Sequence, residues 1–312
     1  MTLAKSIEAR LKLRHYALVT ALATHRSVTK VADVLGVSQP TVTRALSDIE
    51  EIFQSPLFTR TGKGLEPTEA EKVEIARAWR ALAENGSLAR ELDAIREGAQ
   101  GRLVLGLLPY ASNRVLDLAW QHLFSYQPRI AVMSVEDVTG NLIAALRERT
   151  LDCAICRFSQ SGGEDDDIEQ VLLYHQQPRL VVSKPSAAML RKHSEVDIAK
   201  LSEMDWIFPP SGTPIRHVID AIFSGAGRRS PLPVLEAYAV RSIASALRRM
   251  PRGITVLPDD IAQAVADHGA AEVLPQTLPW HLPPVGLAWM KNSPKHVIIS
   301  ELLKAIQFGL IS

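Results

Sequence analysis

Val28-Thr29-Lys30-Val31-Ala32-Asp33-Val34-Leu35-Gly36-Val37-Ser38-Gln39-Pro40-Thr41-Val42-Thr43-Arg44-Ala45-Leu46-Ser47-Asp48-Ile49 governs how the start of the chain folds. Val31, Val34 and Leu35 lie before Gly36, and Val42, Leu46 and Ile49 after it, each set at helical spacing. Thr41, Thr43, Arg44, Ser47 and Asp48 fall on the opposite face of the second segment. Two short amphipathic helices around a glycine turn, the second polar outside and basic near its start, have the sequence form of a helix-turn-helix. The ligand such a motif implies is DNA.

Working outward, Leu13–Thr24 reads as the helix before this pair, Val28–Leu35 as the second and Gln39–Phe53 as the third. Arg60-Thr61-Gly62-Lys63-Gly64-Leu65 then reads as a tight hairpin between short extended segments. Alone, a basic hairpin is a solvated loop. Directly after a helix-turn-helix it reads as a wing, with Arg60 and Lys63 reaching phosphates or the minor groove.

Residues Leu13 to Thr68 resemble the winged helix-turn-helix of LysR-type transcriptional regulators. The resemblance rests on Ser27-Val28-Thr29, Val31-Ala32, Ser38-Gln39-Pro40, Ile49-Glu50, Pro56-Leu57-Phe58-Thr59-Arg60-Thr61 and Pro67-Thr68-Glu69-Ala70. One departure is Glu71, where the family continues with glycine; glutamate is helix-compatible and implies an earlier or cleaner start to the next helix. The resemblance implies an N-terminal winged helix-turn-helix (mainly α) and a long linker helix. A two-lobed, periplasmic-binding-protein-like α/β regulatory domain would follow. It implies DNA contacts from Ser38, Gln39, Pro40, Thr41, Thr43, Arg44, Arg60 and Lys63, with Ser38 capping its helix.

Composition agrees with a multidomain chain. At 312 residues, two or three domains are expected, and 46% hydrophobic with 22% charged residues suits a globular protein with a full core. No apolar run reaches the roughly 18 residues of a membrane span. The N-terminus shows no hydrophobic signal segment, and the two cysteines form no disulfide framework, which together predict a cytoplasmic protein. Residues 1–67 hold nine Lys and Arg against six Asp and Glu, a modest positive excess that suits a specific reader more than a polycationic wrapper.

The domains are expected at 1–67 (DNA binding), 68–98 (linker and dimerisation helix) and 99–312 (regulatory domain). From Thr68 to Gly98, Ile75, Ala78, Leu82, Asn85, Ala89, Leu92 and Arg96 follow a 3–4 spacing, a candidate coiled-coil seam along a rod of roughly 45 Å. Packing of that face on its own domain is the competing reading, and Gly86 invites a kink. Beyond Gly98 strands and helices alternate, the pattern of doubly wound α/β layers. Strand candidates are Arg102–Leu108, Ile130–Val135, Asp152–Cys156, Leu180–Ser183, Trp206–Phe208, Val234–Ala237, Gly253–Leu257 and Gly286–Met290. Helix candidates are Asn113–Gln127, Thr139–Arg149, Pro214–Gly225, Arg241–Arg249 and Asp259–His268. The acidic stretch Ser159–Asp167 and the Pro-rich Pro275–Pro284 read as the passages between lobes. Lobe I is expected at about 99–172 and 279–312, and lobe II at about 173–278.

Ligands of open α/β sheets sit beyond the carboxyl ends of strands, near helix N-termini. Those ends give four loops, carrying Tyr110, Ala111 and Ser112, then Thr139, then Arg157, then Pro209, Ser211 and Thr213, and the resemblance implies one cleft between them. Hydroxyls and an arginine suit a small carboxylate or other anion. Thr139, Ser112 and Thr213 equally suit ordinary N-caps, and Arg157 an ordinary surface charge. In the resemblance, Tyr110, Thr139, Arg157 and the loop from Pro209 fall where the family lines its effector pocket; Arg157, the hydroxyl caps and Tyr110 make an organic or aromatic acid the expected effector.

No catalytic motif is present: there is no P-loop, no Gly-x-Gly-x-x-Gly and no Gly-x-Ser-x-Gly. Cys153 and Cys156 are three apart on a candidate strand and point to opposite faces, so neither a disulfide nor a shared metal is expected. Glu164-Asp165-Asp166-Asp167 lacks calcium-loop spacing. The expectation is a regulator without metal or cofactor, binding double-stranded promoter DNA and a small-molecule effector. The family implies a dimer through 68–98, a tetramer, and room for RNA polymerase as a partner. The competing reading is a cytoplasmic small-molecule binding protein or enzyme on the two α/β lobes, with an N-terminal protein-interaction domain.

Overall fold

In a computed structural model the described residues are 3–61, 64–96, 101–158, 167–191, 197–269 and 271–311. They form two units, residues 1–101 with 147–150 and residues 102–146 with 151–312. Each is described by itself.

The first unit opens with helix α1 (Leu3–Arg10), not anticipated from the sequence, followed by α2 (Leu13–His25), α3 (Val28–Leu35) and α4 (Gln39–Phe53). α1 docks on α4, with Ser6 buried and Arg10 donating to Glu51 at 3.1 Å. The Ser27 hydroxyl caps α3 by accepting from Lys30 N at 3.3 Å. Gly36 ends that helix at φ 65°, returning its N–H to the carbonyls of Ala32 and Asp33, the left-handed closure glycine supplies without a Cβ penalty. Val31, Val42, Leu46 and Ile49 meet Leu18 and Leu22 in one core. Val34 and Leu35, expected on the buried face, are 61% and 42% exposed; at the end of an eight-residue helix, Val31 and Ala32 already fill the inward side.

Strands β1 (Phe58–Thr61) and β2 (Gly64–Pro67) pair antiparallel, Arg60 opposite Leu65, and feed α5 (Glu69–Arg96). The Thr68 hydroxyl accepts from Glu71 N at 3.3 Å, so the chain is helical from Glu69. α5 runs unbroken through Gly86. Its inner half is not a free seam: Ala78 is buried and Ile75 packs on the unit's own core, while α5 lies along α2. The large exposed apolar residues of its outer half are Leu88, Leu92 and Ile95, so past Gly86 the stripe is one residue off the expected Ala89 and Arg96.

Glu74, 7% exposed beside Tyr16 and Arg77, leaves Oε1 without a hydrogen-bond partner among the described residues. Burial pushes its carboxyl up to about 7, with Arg77 pulling the other way. A folded-state pKa above the unfolded one favours folding below the unfolded value, and that contribution is lost as pH rises through about 7. Glu74→Gln is therefore expected to gain about 1–2 kcal/mol over wild type at about pH 8 and almost nothing at about pH 5, part of the full shift being screened by solvent. Calorimetry at the two pH values checks this; an equal gain at both would remove Glu74 as the titrating group.

The second unit starts with β3 (Gly101–Leu107), α6 (Asn113–Phe124), β4 (Ile130–Glu136), α7 (Thr139–Arg147) and β5 (Cys153–Arg157). β6 (Ile168–Tyr174) belongs to the same sheet, so the chain is still in lobe I after the acidic stretch expected to pass between lobes, of which 159–166 lie outside the described residues. The passage lies at His175-Gln176-Gln177. Lobe II contains β7 (Pro178–Val182), α8 (Lys184–Leu190), α9 (Ile198–Ser202), β8 (Asp205–Phe208), α10 (Pro214–Ser224), β9 (Leu235–Glu236), α11 (Val240–Arg249), β10 (Gly253–Pro258), α12 (Asp259–Asp267) and β11 (Glu272–Val273). The Pro-rich segment then returns the chain to lobe I, where β12 (Val285–Met290) enters between β5 and β6 and α13 (His296–Ile311) packs on α6. Sheet orders are β4-β3-β5-β12-β6 and β11-β7-β10-β8-β9.

Side chains alternate along β5. Cys153 and Ile155 face the large core, while Ala154 and Cys156 face a smaller one with Leu142 and Leu146 of α7. Both cysteines are buried thiols outside any disulfide, and burial pushes the Cys153 thiol far up.

Candidate nucleic-acid interface and ligand cleft

The buried side of α4 (Val42, Leu46, Ile49) fixes which side is free. Ser38, Gln39, Pro40, Thr41 and Arg44 are exposed and Thr43 is half-buried, so one continuous polar surface begins the helix. Ser38 holds the N-cap position, its carbonyl accepting from Thr41 N and Val42 N, but its hydroxyl makes no cap bond. It pairs with the Thr41 hydroxyl at 2.8 Å, because Thr41 stands one turn on, within reach of the same oxygen.

The hairpin is tied to this helix by Glu50, whose Oε1 accepts from Leu57 N at 2.8 Å and Phe58 N at 3.2 Å. Leu65 N donates to Arg26 O at 3.0 Å, and Gly64, at φ 119°, lets the backbones approach; a Cβ there would lie 2.7 Å from that oxygen. Arg60 is in β1, and Lys63 lies outside the described residues. Arg14 at the start of α2, which the sequence reading passed over, shares with Arg44 a groove of about 600 Å³ along α4. Thirty residues of sequence separate the two, so no local pattern joins them.

In the second unit a cavity of about 440 Å³ opens where the lobes meet. Lobe I contributes Thr139, Arg157 and Phe158; α10 contributes Pro214 and His217 after Gly212; the returning segment contributes Trp280, His281 and Pro283. Arg157 is 4% exposed. Its Nη1 donates to Pro283 O and its Nη2 to Gln176 Oε1, both at 2.7 Å, and burial pulls its pKa down. Both acceptors are neutral.

Of the eight residues expected around the cleft, Thr139 and Arg157 line the cavity. Thr139 does not cap its own helix: its hydroxyl accepts from Arg157 N at 3.3 Å, bracing the end of β5. Tyr110 and Ala111 are buried in the core, the Tyr110 ring set edge-on to Tyr238 of lobe II at 4.8 Å, so an aromatic pair fills the space expected of ligand. The Tyr110 hydroxyl is pushed far up by burial, then by Tyr238. Ser112 N donates to Tyr174 Oη at 2.8 Å, and its side chain makes no cap bond. Thr213 is buried as the cap of α10, accepting from Arg216 N and donating to Pro210 O; Pro209 is buried and Ser211 exposed. Gln176, His217 and Trp280 carried no motif, since each reaches the site by crossing between lobes or by sitting a turn inside a helix.

Two family models match the chain: "Bacterial regulatory helix-turn-helix protein, lysR family" over residues 13–70 and "LysR substrate binding domain" over residues 96–308. The chain belongs to the LysR family and is a DNA-binding transcriptional regulator with an effector-binding domain. Relatives include the HTH-type transcriptional regulator GbpR of Azospirillum brasilense, 26% identical over 92% of this chain and 83% of that one. GalR of Pseudomonas putida is 27% identical over 88% and 68%. Among solved structures, full-length CbnR complexed with its target DNA shares the fold at TM-score 0.61 and 17% identity, covering 96% of this chain and 100% of that one. These matches overturn the enzyme alternative. Among the described residues no helix is long and apolar enough to cross a membrane.

Proposed function

We propose that this regulator reads promoter DNA through Gln39, Pro40, Thr41, Thr43 and Arg44 in the major groove, with Ser38 at a phosphate and Arg60 and Lys63 on the flanking backbone. The free polar face of α4, opposite its buried apolar side, supports this assignment. Gln39→Ala is expected to lower discrimination between operator and random DNA by about 1–3 kcal/mol, with a smaller change on random sequence. A titration showing equal loss on both would reassign Gln39.

The effector is a small organic or aromatic acid in the inter-lobe cavity. The observation that carries this is a buried guanidinium, Arg157, held among the described residues by neutral oxygens, at the edge of a cavity lined by Phe158 and Trp280. A charge-assisted pair with a carboxylate is stronger than either neutral bond. A thermal-shift screen of the full chain with aliphatic and aromatic acids tests it: a ligand at about 100 times its Kd adds about 2.7 kcal/mol. Arg157→Ala should abolish that shift; a full shift in the variant would place the ligand elsewhere.

The DNA-binding, linker and regulatory segments are assigned to 1–67, 68–98 and 99–312. The outer stripe of α5, Leu88, Leu92 and Ile95, supports dimerisation through 68–98. A tetramer built from two such dimers, contact with RNA polymerase at the promoter and a cytoplasmic location complete the reading.

A further inference from the structure

Gln176 sits in the first passage between lobes and is 2% exposed. Its Oε1 accepts from Arg157 Nη2 at 2.7 Å, and its Nε2 donates to Tyr110 O at 2.9 Å and Asp260 Oδ1 at 2.8 Å. Arg157 ends β5 of lobe I, Tyr110 lies in the loop after β3, and Asp260 is in the first turn of α12 of lobe II. The second donor of Arg157 goes to Pro283 O in the returning passage. One amide thus touches both lobes directly, and through Arg157 it reaches the other passage.

The chemistry demands an amide. A carboxylate could hold Arg157 but could not donate to Tyr110 O, and it would face the Asp260 carboxylate. An apolar side chain of the same length would leave the buried guanidinium with Pro283 O alone, and would take one donor from the half-buried Asp260, whose Oδ1 keeps Ile261 N at 2.9 Å and whose Oδ2 has no hydrogen-bond partner among the described residues.

We infer that Gln176 is a positioning residue: it holds Arg157 against Pro283, clamping both inter-lobe passages together, and an anion that captures Arg157 releases the clamp. The clamp stands on the hydrogen bonds alone. The release step rests on the reading of the cavity as an acid-binding site. A carboxylate arriving at Arg157 competes for the N–H groups that Gln176 and Pro283 now receive. Its charge outcompetes their neutral oxygens, so ligand binding and freedom at the lobe junction are coupled through one side chain.

Hydrogen exchange followed by mass spectrometry on the full-length protein tests this at residues 175–177 and 276–282. Without ligand, Gln176→Met, which keeps the volume, should speed exchange in both segments roughly ten- to hundredfold, the scale of a lost buried hydrogen bond to a charged group. Gln176→Glu, which keeps the acceptor for Arg157 and drops both donors, should speed only 175–177. Unchanged exchange at 276–282 in the Met variant, or fast exchange there in the Glu variant, overturns the clamp. Either variant suffices if the other fails to fold. Saturating phenylacetate should then speed 276–282 in wild type and add nothing in the Met variant. If wild type ignores phenylacetate while the Met variant opens both segments, the clamp holds and the acid-binding reading of the cavity falls.

Discussion

Gly286→Ala is expected to cost the regulatory unit about 3 kcal/mol or more, through overpacking with no route to relax. Gly286 lies in β12, paired to Cys156 on one side and Leu172 on the other, so the sheet holds its backbone from both edges. A Cβ placed there would sit 2.2 Å from a Phe158 ring carbon and 2.5 Å from the Val171 carbonyl oxygen. The ring could turn; the carbonyl belongs to β6 and could not move without breaking the ladder. Gly140→Ala is the control, since its Cβ meets nothing within 4 Å and α7 should gain about 0.5–1 kcal/mol. Urea unfolding followed by tryptophan fluorescence separates the two, and a Gly286→Ala protein within about 0.5 kcal/mol of wild type would refute the clash.

Glu50→Ala is expected to remove about 2–3 kcal/mol from the DNA-binding unit and to weaken operator binding by at least roughly tenfold. Its carboxylate is the acceptor for two successive amides, Leu57 and Phe58, at the point where the chain leaves α4 for the hairpin. Both of those side chains are buried, at 1% and 7% exposure, so the freed N–H groups would have little access to replacement water. The two losses share one cause: the same bonds that close the core also aim the wing relative to α4. Glu50→Gln keeps one acceptor oxygen and should recover more than half of both. Stability lost without any loss of operator affinity would show that the wing is positioned by other contacts.

Much of this was legible from residue order. Helices α3 and α4 fall on the predicted residues because Ser27 and Gly36 punctuate them and their apolar spacing is regular. The strands of both lobes were readable where β-branched and aliphatic runs are buried on both faces, as at β3, β5 and β10. β6 was missed because Ile168-Glu169-Gln170-Val171-Leu172-Leu173-Tyr174 is an edge strand, where Glu169 and Leu172 face solvent and the pattern carries less burial. That omission moved the expected passage onto the acidic stretch before it. α13 was missed although the polar Lys291-Asn292-Ser293-Pro294-Lys295 sets it apart from β12, because its run of apolar residues is too continuous to show one face.

In the cleft, position along strands brought out Thr139 and Arg157, but not what would fill the space between them. Tyr110 reads as a polar handle in sequence and behaves as a core residue, because Tyr238, well over a hundred residues later, supplies its partner. Gln176 is one of two adjacent glutamines, and only the three-dimensional neighbours distinguish the buried one from Gln177, which is exposed.

The alternation of β5 has a practical consequence. Cys153 and Cys156 place one thiol in each of two separate cores, at 0% and 1% exposure. In the native protein neither should react with an alkylating agent, so the chain carries a pair of built-in clocks. A pulse of iodoacetamide during unfolding would date the opening of the large core at Cys153 and of the small core under α7 at Cys156, resolving by mass which side of one strand lets go first.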